Sequence, residues 1–410
     1  MKKTLPIIFI LCLLPLCSSA QWYLFPGKKK NAKTEAKAKD SLKVQTKEAS
    51  ADVFEIKEEA PVDSLVQDDD IYLFEDVDQI RITLALPLAA GSEKPSDNFI
   101  EMYCGALLAA RDLGEQGVRT SIRLIDTAEE EIRREDIEEA DVFVGPVSLN
   151  DVRKALELCP RGKTIISPLD QKCAPLADSY ALVQCPSDWE AQIDELIRWV
   201  EDDLGMLDEV ILLRDSTIAG NGDQTNYLID RLNASHLRYS TTSSLSKVQF
   251  NKLLKYRVIV ASDKDPFIAS SVKEAAIANK AGIAEITLYS TSRAKTSMGP
   301  NIIDIHNANA RLTSSYYIDY DSKEVRTFVR RYRALFDAEP GSFAFQGYDI
   351  VRHFALQCDK WGKRWPKKLS EQSGKGLQSD FDFRRKEGKG SKNTAVRRVC
   401  YNRDMSTTLK

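Results

Sequence analysis

Residues 80–91, IRITLALPLAAG, and residues 98–117, NFIEMYCGALLAARDLGEQG, decide how this chain folds. The first stretch is a short apolar run that ends in Pro and Gly, as a buried strand does. The second places apolar residues at helical spacing ahead of Gly114 and Gly117. Together the two stretches predict a buried strand followed by an amphipathic helix.

The same alternation of strand and helix continues along the chain. We predict strands at residues 118–126, 141–146 and 163–168, separated first by an acidic helix and then by a helix over residues 149–159. Short buried strands that alternate with helices are typical of a parallel, doubly wound sheet with right-handed crossovers.

After residues 180–188 and a long helix over residues 189–204, the pattern begins again. The second series is predicted to contain strands at 209–215, 257–263 and 285–290, with helices over 224–232 and 266–279. Two such series predict an α/β protein with two lobes. Because ligands bind beyond the carboxyl ends of strands in open α/β sheets, the cleft between the lobes is the expected site.

The charge of the chain is balanced as a whole but uneven along its length. With 58 Lys+Arg against 61 Asp+Glu, the net charge of -3 excludes a general binder of nucleic acid. Residues 28–47 hold eight Lys and two acids, whereas residues 48–78 hold twelve acids and one Lys. Residues 360–403 hold fourteen Lys+Arg and four acids. This basic end is either a solvated helix terminus or a docking surface for an acidic envelope partner, and the acidic segment is one candidate occupant.

The amino terminus has the features of a removable signal peptide over residues 1–20. Lys2 and Lys3 precede an apolar stretch at residues 5–16. A run of small residues, as a signal-peptide cleavage site requires, ends at Ala20. We therefore predict export to the periplasm. Lipid anchoring at Cys17 is an alternative, although the preceding Leu16 is not the small residue usual there. Residues 21–78 have too few apolar positions to fold, and we predict a disordered charged linker.

Catalytic and metal-binding motifs are not evident in the sequence. The three histidines, His236, His306 and His353, have no metal-ligand spacing, and His353 falls within a predicted amphipathic helix, where a packing role is expected. The pairs Ser270/Lys273 and Ser292/Lys295 match Ser-x-x-Lys only by chance, because their order relative to the accompanying motifs is wrong. We predict a protein that is not an enzyme and has no cofactor.

Six cysteines follow the signal peptide and would meet an oxidising compartment after export. Six cysteines allow fifteen pairings, and some can remain as buried free thiols in a chain of this size. A bridge between Cys159 and Cys173, which would close a short loop, is the preferred pairing.

Several phrases, in order along residues 79–402, resemble the type I periplasmic binding proteins, the branched-chain amino acid receptor class. Each phrase alone is weak, but the ordered set is specific. They are LPLAAG (86–91), the first-helix residues Phe99, Tyr103, Gly105, Ala106 and Ala109, GPVS (145–148), ISP (166–168), CPSD (185–188), FAFQGYDIVRHFAL (343–356) and the closing segment at 381–402.

The resemblance implies three hinge strands that join two periplasmic-binding-protein-like lobes. The first lobe would comprise residues 79–186 and 314–372, and the second lobe residues 187–313 and 373–410. Ligand closes such a hinge, which is how binding in the cleft is signalled to a partner.

Matching positions suggest six ligand-binding residues at the ends of strands. Where amino acid receptors carry small hydroxyl residues after the strand at 163–168, this chain has Leu169, Asp170, Gln171 and Lys172. Where amino acid receptors carry an aromatic residue before a Gly, this chain has Ile218 and Ala219. The alternative for each candidate is a cap or turn residue. The candidates are Ser148, Ser167, Asp170, Gln171, Asp215 and Asp263.

Two classes of function follow from these observations. The first is an exported solute-binding protein that captures a small polar ligand, amino acid-like or a cell-wall fragment, and delivers it to a membrane permease or sensor. The alternative is a cell-envelope interaction protein of the same fold that regulates or scaffolds a peptidoglycan synthase. Family frequency favours the first class, whereas the long charged linker and the altered cleft residues favour the second.

Overall fold

The computed structural model describes residues 78–178, 181–299, 301–385 and 389–410. These residues form two α/β lobes, each built on a seven-stranded sheet. The predicted two-lobed α/β fold is therefore confirmed. The predicted signal peptide, and the predicted linker apart from Asp78, lie outside the described residues.

The first sheet is mainly parallel and carries helices on its faces. Its strands are β1 (Ile80–Leu86), β2 (Thr120–Asp126), β3 (Val142–Val144), β4 (Ile165–Ser167), β5 (Leu182–Gln184), β13 (Phe383–Arg385) and β14 (Ser391–Asn393). The helices of this lobe are α1 (Asp97–Glu115), α2 (Arg134–Glu139), α3 (Leu149–Leu158), α9 (Lys323–Phe336), α10 (Ser342–Trp361) and α11 (Trp365–Lys368). The strand order is β13-β14-β5-β4-β3-β1-β2, and only β13 and β14 pair antiparallel.

The second sheet repeats this plan. Its strands are β6 (Asp208–Arg214), β7 (Tyr239–Thr242), β8 (Lys255–Ala261), β9 (Glu285–Thr291), β10 (Arg311–Ser314), β15 (Arg397–Tyr401) and β16 (Thr407–Leu409). The strand order is β16-β15-β10-β9-β8-β6-β7, with β15 antiparallel to both of its neighbours. The helices are α4 (Trp189–Asp203), α5 (Asp223–Ala234), α6 (Asp265–Lys280), α7 (Arg293–Met298) and α8 (Ile303–Asn307). A small hairpin, β11 (Gly374–Lys375) and β12 (Asp380–Phe381), stands apart from both sheets.

Both lobes are built from the buried strands that the apolar runs predict. In β1, six of seven residues are buried, as expected for a parallel strand covered on both faces. The helices begin at capping side chains: Asp188 Oδ1 accepts a hydrogen bond from the Ala191 N–H, and Ser322 Oγ accepts one from the Val325 N–H. These caps end two chain crossings and start α4 and α9.

The third crossing between the lobes corrects the predicted domain boundary. We expected residues 373–410 to belong to the second lobe, but β13 and β14 pair within the first sheet. Phe381 and Phe383 are buried in the core of the first lobe beside Phe354 of α10. The chain therefore crosses at residues 394–396, about twenty residues later than predicted, because these two phenylalanines complete the first core.

The six cysteines of the described residues are free thiols. The predicted bridge between Cys159 and Cys173 is therefore absent, since sequence spacing alone does not bring two sulfur atoms to bonding geometry. Both residues lie in the apolar cluster around Phe143, and burial raises the pKa of each thiol. They pack as small apolar side chains.

Among the described residues, the structure contains no helix with the length and apolar character that a membrane span requires.

Helices α1 and α10 approach so closely that their backbones touch. A Cβ atom on Gly105 would lie 1.9 Å from the carbonyl oxygen of Ala344, and one on Gly347 would lie 2.0 Å from that of Met102. Each glycine therefore opens space for the backbone of the opposite helix. This reciprocal contact lets α10 pack directly against α1, although α10 lies much later in the sequence.

Replacing Gly105 by Ala should destabilise the first lobe. The added methyl group meets the backbone of α10, which must move away, and overpacking of this kind costs about 1–3 kcal/mol. Urea unfolding followed by circular dichroism measures the change in the free energy of unfolding.

Gly114→Ala is the matched control in the same helix. A Cβ atom on Gly114 would have no neighbour within 4 Å, so the substitution should stabilise the protein by roughly 0.5–1 kcal/mol through helix propensity. Equal effects of the two substitutions would contradict the close contact between the helices.

His353 should make the stability of the first lobe depend on pH. Its ring is buried, stacks on Phe381 at 4.3 Å and leaves Nε2 without a hydrogen-bond partner among the described residues. Burial lowers the pKa of His353 to about 3, whereas an unfolded histidine titrates near 6.5. Because the unfolded state binds the proton first, stability falls as the pH drops from about 6.5 towards 3.

Between pH 7 and pH 5, this single group should remove about 2 kcal/mol of unfolding free energy. His353→Phe keeps an aromatic ring but cannot be protonated. Between pH 7 and pH 5, its free energy of unfolding should therefore fall by about 2 kcal/mol less than that of the parent protein. Urea unfolding of both proteins at the two pH values gives the difference. Identical losses would show that His353 does not titrate on unfolding.

Candidate functional site

The three crossings between the lobes define the position of the candidate site. Residues 185–188 leave the carboxyl end of β5, residues 315–322 leave that of β10, and residues 394–396 leave that of β14. Strand β15 then enters beside the carboxyl end of β10, where Arg397 is the partner of Ser314. The carboxyl edges of the two sheets therefore face each other across a cleft.

A buried set of hydrogen bonds joins the first and second crossings. The Ser187 hydroxyl donates to Ser315 Oγ at 2.8 Å, and the Ser315 hydroxyl donates to the Ser187 carbonyl oxygen at 2.8 Å. Gln192 of α4 also donates to Ser315 Oγ, at 3.2 Å. The serines are small enough for the two chain segments to touch, so these hydrogen bonds join the first two crossings directly.

Arg397 ties the third crossing to the second crossing and to the turn at residues 376–380. Its guanidinium group donates to the carbonyl oxygens of Tyr317, Leu377 and Gly376 and to the carboxylate of Asp380. The turn that supplies these acceptors is held by Asp349, whose carboxylate accepts hydrogen bonds from the N–H groups of residues 377–379 at 2.7–3.0 Å. Both side chains are buried, so the hinge has a polar interior.

All six ligand-binding candidates predicted from the sequence lie at the facing edges of the two sheets. Ser148 follows β3 and caps α3: its Oγ accepts a hydrogen bond from the Asp151 N–H and donates to the Asp151 carboxylate. Ser167 ends β4 and is completely buried. Ser148 therefore acts as a helix cap and Ser167 as a buried strand end, which are the alternatives to ligand binding considered for these positions.

Asp170 and Gln171 follow β4 at the cleft. The Asp170 carboxylate accepts a hydrogen bond from the Lys172 N–H at 2.9 Å, which occupies a backbone donor that would otherwise be available to an anion. Gln171 donates to the Ser187 carbonyl oxygen at 2.9 Å and to Ser315 Oγ at 3.3 Å. Gln171 is therefore a hinge residue that connects the first lobe to both crossings.

In the second lobe, Asp215 and Asp263 organise turns after β6 and β8. Asp215 accepts hydrogen bonds from the Thr217 N–H and hydroxyl and from the Ser262 hydroxyl. Burial tends to raise the pKa of Asp215, but these bonds outweigh it and the pKa is lowered. Asp263 accepts hydrogen bonds from the Thr225 N–H and hydroxyl, at the start of α5. Ligand contact by any of the six stays a prediction.

Carboxylates hold the loop after β1 at the edge of the first lobe. Asp126 accepts hydrogen bonds from the N–H groups of Ala89 and Ala90, and Glu129 accepts one from that of Gly91. Burial acts to raise the pKa of Asp126, but the backbone hydrogen bonds outweigh it and the pKa is lowered. With the partly exposed Asp170, these carboxylates give this edge fixed negative charge.

Cations follow β9 at the opposite edge. Arg293 donates to the Asp263 carbonyl oxygen at 3.0 Å and to the Asp265 carboxylate at 2.8 Å. Lys295, two residues later, is half-buried, and its ammonium group makes no hydrogen bond or ion pair with any described residue. Burial lowers its pKa, as it does for an ammonium group that has lost water and gained no counter-charge.

Helical geometry indicates the side of α7 on which Lys295 lies. Ala294 and Met298 are buried in the core of the second lobe, and Arg293 and Ser297 contact Asp265 of α6. At 100° per residue, Lys295 is on the side of α7 opposite α6. From the sequence, Lys295 is notable only as part of a chance Ser-x-x-Lys match, although its place just beyond a predicted strand is the signal that could have identified it as a ligand contact.

A small cavity of about 30 Å³ lies beside Arg293, lined in part by Gln224, Thr225, Ser262 and Ser290. Within the described part of the chain, no group of three or more His, Cys, Asp or Glu side chains is placed to hold a metal ion.

Comparisons by sequence find no matching protein family model and no curated relative. Solved structures match over most of the chain. A protein named as a branched-chain amino acid ABC transporter, from Rhodospirillum rubrum, has a TM-score of 0.50 at 12% identity, covering 81% of this chain and 99% of its own.

Two further structures are similar at lower scores. The substrate-binding protein of an ABC transporter from Desulfitobacterium hafniense, in complex with leucine, has a TM-score of 0.47 at 15% identity and covers 81% of this chain and 100% of its own. The LpoA C-domain from Haemophilus influenzae, a regulator of PBP1A, has a TM-score of 0.48 at 12% identity, covering 80% and 99%. The chain has the two-lobed fold of the type I periplasmic binding proteins.

Proposed function

We propose that this protein is a non-catalytic solute-binding protein whose cleft holds a small zwitterionic ligand. The observation that carries the proposal is the half-buried Lys295 ammonium group, which has no partner among the described residues and lies beyond the carboxyl end of β9. A desolvated ammonium group without a counter-charge is unfavourable, and a ligand carboxylate would supply that charge.

The opposite edge of the cleft favours a ligand that also carries a positive group. Asp126 and Asp170 are held in place by backbone N–H groups and remain partly exposed. An ammonium group on the ligand would complement these carboxylates while its carboxylate faces Lys295. Free amino acids and the peptide fragments of cell walls have both groups, so these are the ligand classes that we propose.

The hinge provides the means by which binding would be signalled. The three crossings meet in one polar interior around Ser187, Ser315 and Arg397. A ligand that contacts both edges binds more tightly when the lobes are closed, so it would shift the population towards the closed form. A membrane permease or sensor that recognises the closed form would then receive the ligand.

Export is part of the proposal, and it rests on the signal-peptide features of residues 1–20. The mature protein would act in the periplasm, where a solute-binding protein meets its permease. A peptidoglycan synthase is the alternative partner if the cleft takes no small molecule.

A thermal-shift screen of the mature chain against amino acids, dicarboxylates, sugars and muropeptides tests the ligand class. A zwitterionic ligand at about 100 times its dissociation constant should add roughly 2.7 kcal/mol to the free energy of unfolding. Sugars, which lack a carboxylate, should leave the midpoint unchanged. If nothing in the screen raises the midpoint, the solute-binding proposal fails and the envelope interaction function is favoured.

Lys295→Met should weaken binding of the ligand found in the screen about 10- to 100-fold, because a hydrogen bond to a charged group contributes roughly 1.5–3 kcal/mol. Isothermal titration calorimetry measures the change. Lys273→Met, at an exposed position on α6, is the matched control and should bind like the parent protein. Equal affinity of all three proteins would exclude Lys295 as the ligand's anion contact.

A further inference from the structure

Apolar side chains stand exposed where three neighbouring strands of the second sheet begin. Met206 and Leu207 precede β6, Leu253 precedes β8 and Ile283 precedes β9. Met206 is fully exposed and Leu253 is 80% exposed, so these side chains project into solvent rather than pack on the lobe. We call these four residues the apolar entry surface.

Pairing within the sheet brings the three loops together. Asp208, Lys255 and Glu285, the first residues of β6, β8 and β9, are partners in register. Adjacent strands lie about 4.8 Å apart, so the three strand entries fall within about 10 Å. The Lys255 N–H also donates to the Leu207 carbonyl oxygen at 3.0 Å, which joins the first loop to the second. Single exposed apolar residues are common on protein surfaces, but a group gathered on adjacent loops marks an interaction surface.

Lysine side chains flank the apolar entry surface. Lys252 precedes Leu253 in the same loop, and Lys280 ends α6 three residues before Ile283. Both lysines are exposed, and neither ammonium group makes an ion pair or a hydrogen bond with any described residue. Their charge is therefore available to a partner.

The acidic residues at the strand entries offset this charge only in part. The Asp208 carboxylate is paired with the guanidinium group of Arg257 at 2.8 Å, and the Glu285 carboxylate lies 3.2 Å from the Lys255 ammonium group. Glu209 is exposed and makes no ion pair within the described part of the chain, so it balances one of the two flanking lysines. The strand entries keep a small excess of positive charge.

The shape and the charge of this surface together indicate what covers it. Its apolar side chains project from three separate loops rather than lining a groove that would hold a helix or a strand. A lipid bilayer is deformable and accepts projecting apolar side chains, while lysine ammonium groups remain at the level of the lipid phosphates. We propose that the apolar entry surface docks on the face of an anionic phospholipid bilayer.

Docking at this surface would leave the cleft open to solvent. The strand entries form the amino edge of the second sheet, whereas the candidate site lies at its carboxyl edge. Strands β6 and β8 each have seven residues, so about 20 Å separates the two edges. A ligand could reach the cleft of a docked molecule, and docking does not require that the cleft bind anything.

Vesicle co-sedimentation of the mature chain tests the contact. The parent protein should bind vesicles of mixed phosphatidylglycerol and phosphatidylcholine more tightly than vesicles of phosphatidylcholine alone. Met206→Glu/Leu253→Glu should lower the partition coefficient on the anionic vesicles at least about tenfold, because two apolar side chains are replaced by anions. Lys252→Gln/Lys280→Gln should weaken binding to the anionic vesicles and leave binding to phosphatidylcholine unchanged.

The matched control places two glutamates at exposed apolar positions away from the strand entries. Ile218→Glu/Leu335→Glu changes the net charge as much as Met206→Glu/Leu253→Glu does, and it should bind vesicles like the parent protein. The eight lysines of residues 28–47 are present in every variant, so their own attraction to anionic lipid cancels in the comparison. Unfolding midpoints establish that the variants remain folded.

Three results would overturn the proposal. The first is a parent protein that does not bind the anionic vesicles, and the second is equal binding by the parent protein and Met206→Glu/Leu253→Glu. The third comes from multi-angle light scattering without lipid: a parent dimer that this variant converts to a monomer would assign the surface to a second copy of the chain instead.

Discussion

The hydrogen bonds between Ser187 and Ser315 are the constraint on which the arrangement of the two lobes depends. They lie where two chain crossings touch, and Gln171 and Gln192 join them from the two lobes. Because the crossings leave the carboxyl ends of their strands, this contact turns both carboxyl edges towards one cleft. Arg293 and Lys295 follow β9, and Asp126 and Asp170 stand at or just after strand ends of the first sheet, so both sets belong to these carboxyl edges.

The charge of the protein is organised at two separate locations. The net charge of -3 implies no strong field over the whole molecule. Carboxylates held by backbone N–H groups lie at the carboxyl edge of the first sheet and cations follow β9 in the second sheet, whereas the cations of residues 360–368 around Trp361 lie near the amino edge of the first sheet.

Strand and helix positions could be predicted because local patterns determine them. The apolar stretch at residues 80–91, which ends in Pro and Gly, predicts a buried strand, and β1 occupies its first part, Ile80–Leu86. The third crossing was misplaced because the closing strands are short and their partner, β5, lies some two hundred residues earlier. Periodicity carries no information about such pairing. The predicted disulfide bridge is absent for the same reason, because sequence spacing does not determine the distance between two sulfur atoms.

By itself, the sequence determined the two-lobed α/β class, the order of its elements and the uneven distribution of charge, because these depend on residues close together in the chain. Only the tertiary structure decided which strand-end residues remain available to a ligand. Asp215 and Asp263 accept hydrogen bonds within turns, and their contact with a ligand stays a prediction, while the Lys295 ammonium group has no hydrogen-bond or ion-pair partner among the described residues. Whether a polar side chain is free depends on donors and acceptors brought to it by folding, and these come from distant parts of the chain.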